Sequence, residues 1–219
     1  MVVLAMASAA AAQTAPASPP IFQPGAPGAQ TRTLTAGQSV ELSRTTHTQA
    51  DADFMRHMIV HHGQAVEMVR LLKLHGRDAT VQKLGERISM SQDAEMALMR
   101  RWLTERGLTT EMPMDHSAMS GMDHAAMGHA PSDQALMPGM LSPAQMATLA
   151  AARGIAFDRL FLEGMIQHHR GALSMVEDLL ESPNAAQDPL LSDFATSVVA
   201  DQSAEIGRMQ MLLANLPQS

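Results

Sequence analysis

One string of sixteen residues occurs twice in this chain. Phe54–Val69 and Phe161–Val176 share the pattern F-x3-M-I-x-H-H-x2-A-x2-M-V, and the copies lie 107 residues apart. A weaker echo follows each copy: Gln92, Glu95 and Met99 match Gln202, Glu205 and Met209. Repetition on this scale means that the fold is assembled from two equivalent units, each carrying its own His pair.

The apolar spacing makes each unit a helical hairpin. In the first copy, Phe54, Met58, His61, Ala65, Met68 and Leu72 follow a 4-3-4-3-4 rhythm, which puts them along one seam of a helix. Thr48 with Asp51 three residues on forms a capping box at its start, and Gly76 ends it. The second helix runs from about Asp78 to Arg106, with Val81, Leu84, Ile88, Ser91, Glu95, Leu98 and Trp102 as its inner line. Ser142-Pro143 opens a short helix over about 142–152. The third long helix carries Phe161, Met165, His168, Ala172 and Met175 and stops before Pro183. The fourth spans about Asp188 to Asn215, with Leu191, Phe194, Val198, Asp201, Glu205, Arg208 or Met209, and Leu212 inward. Two hairpins with equal faces predict an all-α four-helix bundle, and no stretch alternates with period two, so no sheet is expected.

The organisation that follows is a probable export signal over 1–12, a flexible Pro/Gly-rich leader over 13–47, hairpin one over 48–107, a Met/His-rich loop over 108–141, and a short helix plus hairpin two over 142–216. The signal reading rests on a short apolar run ending in small residues, although the usual basic start is missing. No later segment is apolar enough to span a bilayer.

Composition narrows the chemistry. The chain has no Cys and no Tyr but 20 Met, so thiol catalysis, disulfides and thiolate metal sites are excluded. A net charge of -7 argues against nucleic acid as partner. No phosphate-cradling glycine loop or Ser-His-Asp order is present.

Methionine and histidine together point to metal. Thioether sulfur prefers Cu(I), and imidazole accepts Cu(I) or Cu(II), so copper ions are the expected cargo, with silver as a second soft ion. The densest set of such donors is in the loop: Met112, Met114, His116, Met119, Met122, His124, Met127 and His129, surrounded by Gly, Ser and Asp rather than placed on a helical stripe. The second set lies on the repeats. Met58 is three and four residues before His61 and His62, on one helical face, and Met165 stands likewise before His168 and His169. His57, four residues before His61, is matched by Gly164 and is a local extra.

Three readings of the repeat motif stay open at this level. His61 with Glu95 and His168 with Glu205 can be structural polar pairs locking the hairpins, since a buried carboxylate and a buried imidazole are tolerable together. Met58, His62, Met165 and His169, with or without the seam His61 and His168, can bind copper or silver. A dinuclear site inside the bundle is the third, weakened by the single inward Glu per hairpin.

The doubled motif, each copy followed by Q-x2-E-x3-M, resembles the CopM-like family, domain of unknown function 305, over about residues 48–215. The resemblance implies a secreted or periplasmic ferritin-like bundle linked to copper binding and resistance. It carries Met58, His61, His62, Met68, Met165, His168, His169 and Met175 as candidate ligands. The function so implied is sequestration or hand-over of Cu(I)/Cu(II) without turnover, with a periplasmic copper-handling protein as the candidate partner. The alternatives are a ferritin-like metal oxidoreductase, or a structural helical module with incidental metal buffering.

Overall fold

The computed structural model describes residues 21–23, 30–43, 47–112 and 136–217. The chain divides near Thr45 into two units.

The first unit corrects the expectation of a leader without regular structure and of no sheet. Strands β1 (Ile21–Gln23) and β2 (Arg32–Leu34) pair antiparallel with Phe22 opposite Thr33, and helix α1 covers Ala36–Ser43. Three-residue strands are too short to show alternation in sequence. The start of α1, however, is a capping box that was readable: Thr35 Oγ1 accepts from Gln38 N–H, and Gln38 Oε1 accepts from Thr35 N–H.

The second unit is all helical among its described residues. The long helices are α2 (Gln49–His75), α3 (Ala79–Glu105), α5 (Gly154–Glu181) and α6 (Pro189–Asn215), with the short α4 (Pro143–Ala151) before α5. Their ends sit where local chemistry puts them. Thr48 and Asp51 close a reciprocal cap on α2, Ser142 and Gln145 do so on α4, and Asp78 and Asp188 cap α3 and α6. Helix α2 packs against α3, α5 packs against α6, and the two hairpins meet through α2 and α5. Two apolar clusters result, each drawing on all four long helices. One joins Met55, Met58, Trp102, Val176 and Val198; the other joins Met68, Leu72, Ile88, Phe161 and Met209.

The inner lines of α3 and α6 differ from expectation in the same way. Ser91 and Glu95 are only half-buried, while Gln92 and Met96 lie inside; Asp201 is exposed, while Gln202 lies inside. A straight helix drifts by about 20° per heptad against a strict 3.5-residue rhythm, and the buried line follows it by taking two successive four-residue steps, Ile88–Gln92–Met96 and Phe194–Val198–Gln202.

Two buried carboxylates tie the hairpins together, and they occupy equivalent places in the repeat. Asp51 of α2 accepts from the Ala186 N–H in the α5–α6 turn at 2.7 Å. Asp158 of α5 accepts from the Arg77 and Asp78 N–H groups in the α2–α3 turn at 3.1 and 2.8 Å. Each hairpin thus holds the turn of the other. The α5–α6 turn needs that help, because Ala186 sits at φ 54°, a left-handed conformation that costs a non-glycine residue about 1–2 kcal/mol. A third carboxylate, Asp188, takes the indole N–H of Trp102 at 3.2 Å and pairs with Arg106, joining the end of α3 to the start of α6.

Candidate metal centre

All four repeat histidines are fully buried at the middle of α2 and α5. Adjacent residues on a helix point about 100° apart, and each first helix has two neighbours to face. His61 and His168 face each other across the α2–α5 contact, with ring centroids 3.8 Å apart and planes inclined by 38°. His62 and His169 turn instead to their own hairpin partners. His62 Nε2 donates to Glu95 at 2.6 Å, and His169 Nε2 donates to Glu205 at 2.7 Å. The polar pairs expected as His61–Glu95 and His168–Glu205 are therefore corrected to His62–Glu95 and His169–Glu205. The seam argument found His61 and His168 as inward but not the equally buried His62 and His169, nor which helix each ring meets.

The remaining Nε2 atoms are also anchored. His168 donates to the backbone carbonyl of His61 at 2.8 Å, and His61 donates to the carbonyl of Pro138 at 3.0 Å. A carbonyl oxygen can only accept, so both rings carry their proton on Nε2, and in the neutral ring the lone pair is on Nδ1. The Nδ1 atoms of His61, His62, His168 and His169 are all buried without a hydrogen-bond partner. Burial lowers the pKa of His61 from 6.5 to about 4, helped by the charge of neighbouring His62, and burial lowers that of His168 well below its ordinary value. Both rings are neutral at physiological pH, with a bare nitrogen inside the protein.

The thioethers stand close by in the chain. Met58, Met68 and Met165 are fully buried and Met175 nearly so. Gln92 Oε1 and both side-chain polar atoms of Gln202 are likewise buried without partners on the facing helices. Among the described residues no three His, Asp or Glu side chains converge as a metal cluster. The donor chemistry fits a soft monovalent ion: imidazole nitrogen fixed by its second nitrogen, and neutral thioether.

The segment Met137–Leu141 returns to the bundle as a strap and breaks its symmetry. Gln64 holds Leu141 from both sides, accepting its N–H at 2.7 Å and donating to its carbonyl at 3.0 Å. Gln167 donates to the carbonyls of Gly139 and Met140. Gly171 lies so close beneath that a Cβ there would be 2.0 Å from the Pro138 oxygen, and Gly139 takes φ 74° as it passes. Gln64, Gly164, Gln167 and Gly171 are places where the two copies differ, and each touches this strap. The departures from the repeat were the sequence signal for it. His57, the extra imidazole, lines a cleft of about 360 Å³ with Met137, Met175 and Pro138.

Of the loop donors, Met112 is exposed. Met114, His116, Met119, Met122, His124, Met127 and His129 lie outside the described residues.

The sequence profile of a domain of unknown function, DUF305, matches residues 51–213, which is most of the chain and contains both histidine pairs. The chain belongs to the DUF305 family. Solved members share its fold. A DUF305 protein of Streptomyces coelicolor is 31% identical, with 75% of this chain and 92% of that one covered at a TM-score of 0.62. A DUF305 fragment from Deinococcus radiodurans is 27% identical, covering 78% and 100% at 0.62. CopM in its Cu(I)-bound form is 23% identical, covering 75% and 96% at 0.55, a likeness of fold. No curated protein matches the sequence. No helix among the described residues is long and apolar enough to cross a membrane.

Proposed function

We propose that this DUF305 member is a periplasmic or secreted copper-binding protein that sequesters or hands on Cu(I) and Cu(II), built as a ferritin-like bundle. The observation that carries the reading is the set of four buried imidazoles whose Nε2–H groups are all engaged and whose Nδ1 atoms are all unpartnered. A buried acceptor without a partner costs about 1–3 kcal/mol, and four of them on the middle turns of α2 and α5 suit a cation better than an empty core. Each ring is oriented by a carbonyl or carboxylate on its far nitrogen, the arrangement typical of metal-ligating histidine. The likeness to CopM, which has been solved with Cu(I), Cu(II) and silver, agrees with that chemistry. The ligands proposed are His61, His62, His168 and His169 with Met58 and Met165, and Met112–His129 as a capture segment rich in thioether and imidazole.

Two Met→Leu sets test the reading, because they keep volume and remove sulfur. The metal-free chain is titrated with Cu(I) against a competing chelator, in parallel with Met58→Leu/Met165→Leu and with Met114→Leu/Met119→Leu/Met122→Leu/Met127→Leu. Each set is expected to lose bound Cu(I) while far-ultraviolet dichroism stays unchanged. Undiminished stoichiometry and affinity in both sets would refute the reading.

A further inference from the structure

Helices α3 and α6 do not pack as closely as α2 with α3, α5 with α6 or α2 with α5, and a groove with a cleft at each end runs between them. At one end, Thr80, Lys83, Leu84 and Arg87 of α3 face Arg208, Met211 and Leu212 of α6 around a cleft of about 480 Å³. At the other, Leu190, Asp193, Phe194 and Ser197 of α6 face Ser91, Glu95 and Leu98 of α3 around about 390 Å³. With Gln92 matched to Gln202, five lining positions correspond: Thr80 to Leu190, Lys83 to Asp193, Leu84 to Phe194, Arg87 to Ser197, and Arg208 to Leu98; Met211 and Leu212 align with Arg101 and Trp102, which do not line the second cleft.

Both clefts have apolar side chains in their walls, Leu84 matched by Phe194, but the charge is not kept. Three positions are cationic in the first cleft, and their three equivalents in the second are an acid, a hydroxyl and a methyl-bearing side chain. No acidic residue lines the first cleft. The nearest carboxylates along the two helices are Glu86, beside Arg87 on α3, and Glu205, one turn before Arg208 on α6 and engaged with His169. No ion pair of Lys83, Arg87 or Arg208 occurs among the described residues, and the Nε of Arg208 is buried without a partner. In a chain of net charge -7, three uncompensated cations around an apolar hollow form a local field opposite to that of the whole molecule.

We infer that the Lys83–Arg87–Arg208 cleft binds a single-chain anionic amphiphile, a carboxylate or similar head group on an alkyl tail. The head group meets guanidinium donors in the forked geometry that suits carboxylate. The tail lies along Leu84, Met211 and Leu212; Met211 is 62% exposed and gains cover from it. The volume falls within the range of small-ligand clefts, about 300–1,000 Å³. The hollow at the other end, with Asp193 in place of Lys83 and with Glu95 in its wall, repels the same ligand.

The test uses the full metal-free chain and isothermal calorimetry, with dodecanoate below its micellar concentration as probe. Dodecyltrimethylammonium supplies the same tail with opposite charge, acetate the head group alone, and phosphatidylglycerol vesicles the same charge in a bilayer. Saturable one-to-one binding of dodecanoate is expected, with the cationic amphiphile and acetate at least about tenfold weaker. Arg87→Gln/Arg208→Gln should weaken dodecanoate about tenfold or more. Dichroism and thermal unfolding confirm that this variant is folded, as expected where Arg87 is exposed and the half-buried Arg208 has no ion-pair partner to lose among the described residues. Absence of saturable dodecanoate binding, equal binding of the cationic amphiphile, an unchanged affinity in the variant, or binding to vesicles alone would each overturn the inference. None of these outcomes depends on whether the core takes copper.

Discussion

Gly171→Ala tests the strap most directly. Alanine in a helix interior is ordinarily preferred over glycine by about 1 kcal/mol. At this position, however, the new methyl would lie 2.0 Å from the Pro138 oxygen, 2.4 Å from its carbonyl carbon and 2.5 Å from the Gly139 Cα. These are backbone atoms, and they cannot rotate away. Ordinary contact requires about 3.5 Å, so the strap must retreat by more than about 1 Å, and a hydrogen bond stretched by that much is lost. The bonds at stake are Pro138 O with His61, the two from Gln167 to Gly139 and Met140, and the two between Gln64 and Leu141. Losing two or three at about 1 kcal/mol each, and leaving the buried His61 Nε2–H unpaired at about 1–3 kcal/mol, outweighs the gain in helix propensity. The expected net loss is about 2–4 kcal/mol, read from urea unfolding followed by far-ultraviolet dichroism. Gly63→Ala is the control: nothing lies within 4 Å of its Cβ, so it should gain about 0.5–1 kcal/mol. If Gly171→Ala behaves like Gly63→Ala, the strap does not press on α5 as described.

Three further outcomes follow from buried polar groups. His61 and His168 have pKa values lowered on folding, so the unfolded chain binds their protons first. Stability is full above about pH 6.5 and falls as pH drops toward about 4, by about 3 kcal/mol from His61 alone and more with His168. The groups facing this pair are His62 and His169, with Glu95 and Glu205 behind them, and a urea midpoint that is flat between pH 7 and 4.5 would contradict the assignment. Asp158→Ala removes the acceptor of the Arg77 and Asp78 N–H groups and should cost about 2–4 kcal/mol, measured as a lowered urea midpoint; an unchanged midpoint would deny the cross-hairpin tie. His169→Ala leaves the half-buried Glu205 without its imidazole and should cost about 1–3 kcal/mol, partly recovered by the further change Glu205→Gln, in unfolding of the metal-free chain.

Helix ends were legible because their causes are local. Thr48 with Asp51, Ser142 with Gln145, and the carboxylates of Asp78 and Asp188 each act within three residues of themselves. His61 and His168 were legible as inward because the repeat keeps them on a seam; His62 and His169, one step off it, are just as buried. Which neighbour each histidine meets was not, since His61 and His62 differ only by one step of helical rotation, and the choice belongs to the placement of α3 and α5 around α2. Asp51 was read as a cap and is one, but its second oxygen reaches a turn 135 residues away, which no local pattern records. The mismatch between Gln64 and Gly171 in the aligned copies was visible all along; its meaning needed the strap.

Both ends of the methionine–histidine segment are fastened to the same helix. Thr109 accepts from Arg56 Nε at 3.0 Å where the chain leaves, and Pro138 accepts from His61 where it returns. Chain length alone then confines every donor between them: His124, fourteen residues from Pro138, cannot stray more than about 50 Å from it. Tethering of this kind keeps two partners at an effective concentration in the millimolar range. On the copper-binding role proposed above, an ion taken up by Met114 or Met119 would therefore reach the core histidines in a first-order step, at a rate independent of how dilute the protein is. In a compartment where the protein is scarce, capture and delivery would need only one molecule.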